Sequence, residues 1–389
     1  MNGLAGVCVG SRDGNNSWGW RGQLRPGEND VLKYYKGSFI FTGICLALAA
    51  WLGHEMSGNW SGTLGILWIV IVLGVLEVSL SFDNAVVNAT VLRDMDPKWQ
   101  HRFLTWGIVI AVFGMRIIFP LAVVAIAAQL GPIEAIKLAA TNPVEYERII
   151  TGAHIGISGF GGAFLAMVGL DFFLNDEKEE HWLGMVEKPL AGLSRISGIA
   201  LGIVMLALYF ISRMLTPEEA LTFITSGIFG LVTFIAVQAL GSVLEGDGGD
   251  AMTQTAAKSG FAAFMYLEVL DASFSFDGVI GAFALSNNLF IIALGLGIGA
   301  MFVRSMTVML VEKGTLTEYR YLEHGAFYAI VALAAIMLLS AHFHIPETIT
   351  GLIGAAFIGM AFWASVRSNR AEATLEDANP VKPTGETLN

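Results

Sequence analysis

The chain has 389 residues, of which 54% are hydrophobic and 14% charged, with a mean hydropathy of +0.63. A soluble chain carries about a quarter of its residues charged, so disorder, a collagen-like fibre, a disulfide scaffold and an ordinary cytosolic enzyme are excluded. Lipid is expected around most of the molecule. The net charge of −11 is opposite in sign to the basic footprint of a nucleic-acid binder, so no nucleic-acid partner is expected. Two cysteines, Cys8 and Cys45, can build neither a disulfide framework nor a thiolate metal site, which leaves oxygen and imidazole as metal ligands.

Residues 1–36 form an N-terminal arm, polar and glycine-rich through residue 30 and without the apolar core of a signal peptide. Ten apolar runs then follow that are long enough to cross a bilayer as helices. They cover residues 37–53, 63–92, 103–130, 151–174, 196–212, 220–241, 260–285, 289–311, 325–342 and 348–366. The N-terminus, the even-numbered loops and the C-terminus carry 17 of the 22 Lys and Arg, while the opposite loops carry only Lys137, Arg148 and Arg213. Positive charge marks the cytoplasmic side, so both termini are expected there. Trp51, Trp60, Trp99, Trp106 and Trp363 fall near run ends, and headgroup-level rings or core packing explain them equally well. Residues 367–389, polar and containing Pro380 and Pro383, read as a disordered tail.

Comparison of the chain with itself finds a repeat. Residues 77–86 read EVSLSFDNAV and residues 271–280 read DASFSFDGVI. Glu77, Ser79, Ser81, Phe82 and Asp83 in the second run match Asp271, Ser273, Ser275, Phe276 and Asp277 in the seventh. Copies five runs apart cross a membrane in opposite directions, as in the inverted repeats of secondary transporters, whose substrate site lies near the midplane. The expected architecture is therefore an all-α, polytopic membrane protein of about ten helices in two inverted five-helix repeats, 37–212 and 213–366. Positions six apart on a helix differ by about 9 Å in height and about 120° in direction, so one straight helix cannot aim both acids of a copy at one ion. Antiparallel copies crossing near Leu80 and Phe274 would put Glu77 level with Asp277 and Asp83 level with Asp271. Glu268 shares the helix face of Asp271. The serine-rich motifs would also suit locally broken helices whose freed carbonyls line a cavity.

Glu77, Asp83, Glu268, Asp271 and Asp277 are five acids inside apolar runs, each costing about 2.5–3.5 kcal/mol at a helix centre. Ion pairing with Arg116 and Arg304, in the third and eighth runs, is the bland explanation, and it leaves three acids unmatched. Carboxylate, hydroxyl, amide and carbonyl oxygens without cysteine favour a hard divalent cation such as Mg²⁺, Ca²⁺ or Mn²⁺. The acids are the expected metal ligands, with Ser81, Asn84, Asn88, Ser275, Arg116 and Arg304 supporting them. His154 opens GAHIGISGFGGAF, where small residues permit close packing, and reads as a satisfied interfacial histidine. His342 and His344 are expected to be solvated, as is the acidic run DEKEE at 176–180. No G-x-S-x-G, Walker or H-E-x-x-H motif is present, so neither an enzyme nor an ATP-driven pump is expected.

At these residues the chain resembles the bacterial TerC family of integral membrane proteins, named for tellurium resistance, and within it a TerC-like branch of unknown function. The matching signatures are E-x5-D-N at Glu77, Asp83 and Asn84, E-x2-D-x5-D at Glu268, Asp271 and Asp277, and the arginine that follows at Arg304. The resemblance spans roughly residues 33–366. It implies manganese export across the cytoplasmic membrane, with the paired acids as ligands. Gly278 stands where the better-known branch usually has serine, and an extra run precedes the first motif. The resemblance begins near Lys33, so Val31 is a candidate GTG-encoded start, with residues 1–30 ahead of it.

The expected function is thus secondary transport of a divalent cation, Mn²⁺ first, outward through a midplane carboxylate site, with proton antiport as the coupling. A non-transporting scaffold or sensor in a metal or tellurite stress-response complex, with partner membrane proteins, is the alternative. An exporter of small organic cations or amino acids is the third reading. The bilayer, the cation and protons are the expected partners, and no permanently bound cofactor is expected.

Overall fold

A computed structural model describes residues 31–175, 178, 180–196, 198–245, 260–343 and 345–378. Among the described residues every regular element is helical and no strand occurs. Eight helices among the described residues are long and apolar enough to cross a membrane, and the chain is an all-α membrane protein.

The first of these is α1 (Val31–Ser57), followed by α2 (Trp60–Leu80) and α3 (Phe82–Asp94). The single run expected over 63–92 is thus two helices, broken at Ser81. Next come α4 (Pro97–Val109), a π-helical segment (Ile110–Ile118) and α5 (Phe119–Ala127), which together cover the third expected run. Two short helices, α6 (Pro132–Thr141) and α7 (Pro143–Gly152), occupy a connection where no element is expected. Proline at the first helical position suits both, and the Asn142 side chain caps α7 by accepting from the Glu145 N–H.

The chain continues with α8 (His154–Phe173), α9 (Gly184–Gly192), α10 (Ile199–Ser212), α11 (Pro217–Glu245), α12 (Gly260–Ala282) and α13 (Leu289–Glu312). A short turn, α14 (Thr315–Glu318), precedes α15 (Leu322–Ser340) and α16 (Glu347–Ala378). Two of the ten expected runs are not among the eight spans. With 14 residues, α10 is only about 21 Å long. The other, α12, has the length but carries Glu268, Asp271 and Asp277. Residues 367–378, expected in the disordered tail, continue α16 instead. They contain alanine, glutamate and arginine with no glycine or proline, a composition that propagates a helix. The N-terminal arm to residue 30 and the tail beyond residue 378 lie outside the described residues.

Two packed groups organise the molecule. In one, α13 lies against α1 and α2; in the other, α8 lies against α11 and α15, and α16 packs on α15. Between them runs α12, in contact with α3, α4, the π segment, α8 and α11. Small residues bring the second group together, because lipid tails supply no hydrophobic drive and association depends on close contact. A methyl at Gly159 of α8 would lie 2.6 Å from the Phe223 carbonyl oxygen of α11, and one at Gly162 would lie 2.7 Å from Leu338 of α15. Gly159→Ala is expected to cost about 1–3 kcal/mol by forcing α8 from α11. Gly202→Ala on α10, where a methyl meets nothing, is expected to be neutral or mildly stabilising. Thermal unfolding in detergent measures both.

Outward faces are strongly apolar. Trp51, Trp60, Trp106 and Trp363 are all more than 60% exposed, which in water would be an aggregation hazard and in a membrane is a lipid contact. Trp99 is the exception, half-buried against Phe261 and Phe264. His154 meets Ser158 at 3.3 Å, and Ser158 meets Ser340 at 3.2 Å, so the histidine is satisfied at a helix interface. His342 is exposed; His344 lies outside the described residues.

Candidate functional site

The break at Ser81 creates the first half of the site. Its N–H closes α2 on the Glu77 carbonyl, and its hydroxyl donates to Glu77 Oε1 at 3.0 Å. Serine offers the backbone such local alternatives, and here they end one helix one residue before the next begins. Glu77 is then held at the C-terminal end of α2, while Asp83, Asn84 and Asn88 ride on α3.

Glu77 is 2% exposed, and the packing of α13 explains how it reaches the interior. A methyl at Gly295 would collide with Leu73, and one at Gly299 with the Glu77 Cβ and Cγ and the Gly74 carbonyl. Only a side-chain-free lane on α13 lets α2 approach so closely.

Arg116 arrives from the π segment. Pro120 has no N–H to bond the Arg116 carbonyl and its ring crowds that position, and the preceding turns widen to the i+5 pattern that recurs at functional sites. Arg116 is 6% exposed and donates to Glu77 Oε1 and to the Ser275 hydroxyl. The expected pairing of Arg116 with one of the acids is therefore realised, on Glu77.

The second motif comes on a continuous helix, in contrast to the first. Glu268, Asp271 and Ser275 lie at i, i+3 and i+7 of α12, on one face. Asp271, 8% exposed, accepts from Asn88 Nδ2 at 2.8 Å, and Asn84 hydrogen-bonds the same carboxylate. With both amide NH₂ groups turned to Asp271, the carbonyl oxygens of Asn84 and Asn88 are buried without a donor.

These groups surround a small cavity of about 30 Å³, lined by Glu77, Ser81, Asn84, Asn88, Arg116, Asp271, Arg304 and Thr307, with Ala111, Ala300 and Val303 as its apolar wall. That volume holds one or two water-sized particles. Glu77 and Asp271 are thus brought to one site, together with Ser81, Asn84, Asn88, Arg116 and Arg304. The remaining acids are placed otherwise. Glu268 lies beside Arg304 outside the lining, with both carboxylate oxygens buried and without a donor. Asp83 turns to α16, where a methyl at Gly354 would come within 2.9 Å of its Oδ2. It is not among the residues that line the cavity with Asp271. Glu77 does lie beside the end of the second motif, since a methyl at Gly278 would be 3.2 Å from its Oε2. The Asp277 backbone belongs to α12 and its side chain lies outside the described residues. Among the described residues no three of His, Cys, Asp and Glu converge as metal ligands, so any cation here relies on amide and hydroxyl oxygens beside two carboxylates.

Thr307, one turn beyond Arg304 on α13, is a lining residue missed in the sequence, although its spacing from Arg304 is the signal that finds it. Asp171 of α8 was missed as well; it accepts from Gln238 of α11 at 3.4 Å.

A second charged cluster lies away from the cavity. Glu187 of α9 is 0% exposed, with Lys178 at 3.0 Å and His181 and His324 at 3.4 Å each. Lys178 also stands 4.1 Å above the Phe172 ring, so this member of the acidic run is folded inward rather than solvated. Burial alone would raise the Glu187 carboxyl, but the Leu183 N–H, Lys178 and His324 hold it below the usual range. Glu187→Ala leaves Lys178 without its partner and is expected to cost about 3–5 kcal/mol. Faster protease cleavage of the 178–195 connection measures it.

Residues 82–372 match a family described as a protein of unknown function, DUF475. The chain belongs to the DUF475 family. No curated protein and no solved structure matches it. The DUF475 match begins at the helix break itself and takes in Asp83, Asn84, Asn88, Arg116, Asp271 and Arg304. It leaves α1 and α2, and with them Glu77, outside.

Proposed function

We propose that this DUF475 chain is a secondary transporter that carries a divalent cation, Mn²⁺ first, through the cavity between α2, α3, the π segment, α12 and α13. The observation that carries the reading is the pair of orphaned amide oxygens on Asn84 and Asn88, buried beside the carboxylates of Asp271 and Glu77. Buried acceptors without donors cost free energy, and a hard cation is the partner such oxygens select. Size supports the same choice. A cavity of about 30 Å³ suits an ion, whereas organic ligands occupy about 300–1,000 Å³, which counts against an amino-acid or organic-cation exporter. The TerC resemblance supplies manganese, outward direction and the bacterial cytoplasmic membrane, and the bias of Lys and Arg toward alternate loops puts both termini on the cytoplasmic side. Proton antiport is the proposed coupling, since carboxylates bind either ion.

The Arg116–Glu77 pair favours a second reading, a scaffold or sensor whose charges only hold helices together. Mn²⁺ release from loaded proteoliposomes separates the two. Release above protein-free vesicles, competed by Ca²⁺ or Mg²⁺ according to preference, is the expected result. Release equal to protein-free vesicles, for all three ions, leaves the scaffold.

A further inference from the structure

Arg304 is 5% exposed on α13, and its guanidinium carbon sits 3.7 Å over the Phe103 ring of α4. Its Nε and Nη2 are buried without an acceptor, although both oxygens of nearby Glu268 are buried without a donor. The two groups flank Gly107. A methyl there would fall 2.8 Å from Arg304 Nη2 and 3.3 Å from Glu268 Oε1. The guanidinium also feels the charge of both Glu268 and Asp271. A buried arginine ordinarily saturates its fork of donors, and one with two of its nitrogens unbonded near two carboxylates is not locked in place.

We propose that Arg304 is a tethered counter-cation that alternates between the Phe103 face and the carboxylate of Asp271, standing in for the transported ion when the cavity holds none. This rests on the cation-transport reading and gives the carrier a return step that needs no counter-transported proton, in place of the proton antiport proposed above. Carboxylates without a counter-charge are costly in a low-dielectric interior, so an unloaded carrier with bare Asp271 resists the conformational change. Arg304 on Asp271 makes the unloaded carrier as well neutralised as the loaded one. An incoming divalent ion displaces the guanidinium, and the Phe103 ring receives it by cation–π attraction. Gly107 leaves the space through which it turns.

The test compares net Mn²⁺ release from proteoliposomes into Mn²⁺-free buffer with exchange against external Mn²⁺. In Arg304→Gln, net release is expected to fall about 10-fold, which is about 1.4 kcal/mol, while exchange persists and Mn²⁺ binds more tightly because its competitor is gone. Arg304→Lys keeps the charge and should retain net release. Phe103→Leu removes the resting face and should weaken Mn²⁺ binding, a shift of opposite sign that also serves if Arg304→Gln folds poorly. Net release and exchange falling together in Arg304→Gln, or neither changing, would overturn the proposal. Absence of both in the unmodified protein instead removes the cation-transport reading beneath it.

Discussion

Asp271→Asn is expected to abolish Mn²⁺ release while leaving the protein folded and at normal membrane abundance. The carboxylate accepts from Asn88 and Asn84, and with those bonds made both amide oxygens stay buried without a donor on residues that line the cavity. An asparagine at 271 is nearly isosteric, so helix packing is kept. It removes one negative charge, and its own NH₂ faces donors it cannot accept from, which sets the neighbouring amides free to turn. Loss of about 3 kcal/mol from a charged ligand and its orienting bonds corresponds to about 100-fold in affinity. Mn²⁺ binding by calorimetry and release from proteoliposomes should fall together. Asn88→Ala is the milder companion, with a loss of about 10-fold, in the range found when a group that orients a ligand is removed. An Asp271→Asn protein that folds and still transports at the normal rate would remove Asp271 from the ion's route.

Removing one member of the Arg116–Glu77 pair is expected to be the most destabilising change near the site. Both side chains are under 8% exposed, and breaking such a pair strands a buried charge at about 3–5 kcal/mol. Arg116→Met should therefore lower membrane abundance and thermal stability sharply. The double variant Arg116→Met with Glu77→Gln removes both charges and is expected to regain most of that stability, because an uncharged replacement of similar volume is often neutral. The double variant is still expected to transport poorly, since Glu77 lines the cavity and accepts from Ser81 at the helix break. Stability restored with transport lost separates the pair's structural part from its part in ion binding. Transport restored along with stability would make the pair purely structural.

The membrane class followed from composition, and each of the ten expected apolar runs overlaps helix that the structure contains; the second, over 63–92, is divided into two separate helices at Ser81, and the tenth stops 12 residues short of the end of α16. Long apolar segments have few choices in lipid, because every backbone group must bond within its own segment. The acids, too, were visible as residues lipid disfavours, and Asn84, Asn88, Arg116 and Arg304 were legible beside them. Other features were less legible. The α6–α7 pair had only the local marks of its capping residues, Pro132, Asn142 and Pro143, with no apolar run over them, and the Lys178–Glu187–His324 cluster depends on a contact between segments far apart in the chain. Serine at 81 breaks α2, whereas serine at 275 leaves α12 continuous, since the two meet different neighbours.

Local residue chemistry by itself therefore determined the solvent, the helical class and the list of candidate ligands. Only the tertiary structure decided which candidates meet. Glu77 and Asp271 face one cavity because the glycine lane of α13 admits α2 and the wide turn before Pro120 aims Arg116 inward. Asp83, in the same motif, turns to Gly354 instead, because the break at Ser81 sets it on a separate helix. Rotation about a break and the approach of two glycine faces are properties of the packed helices, and no spacing along one chain encodes them.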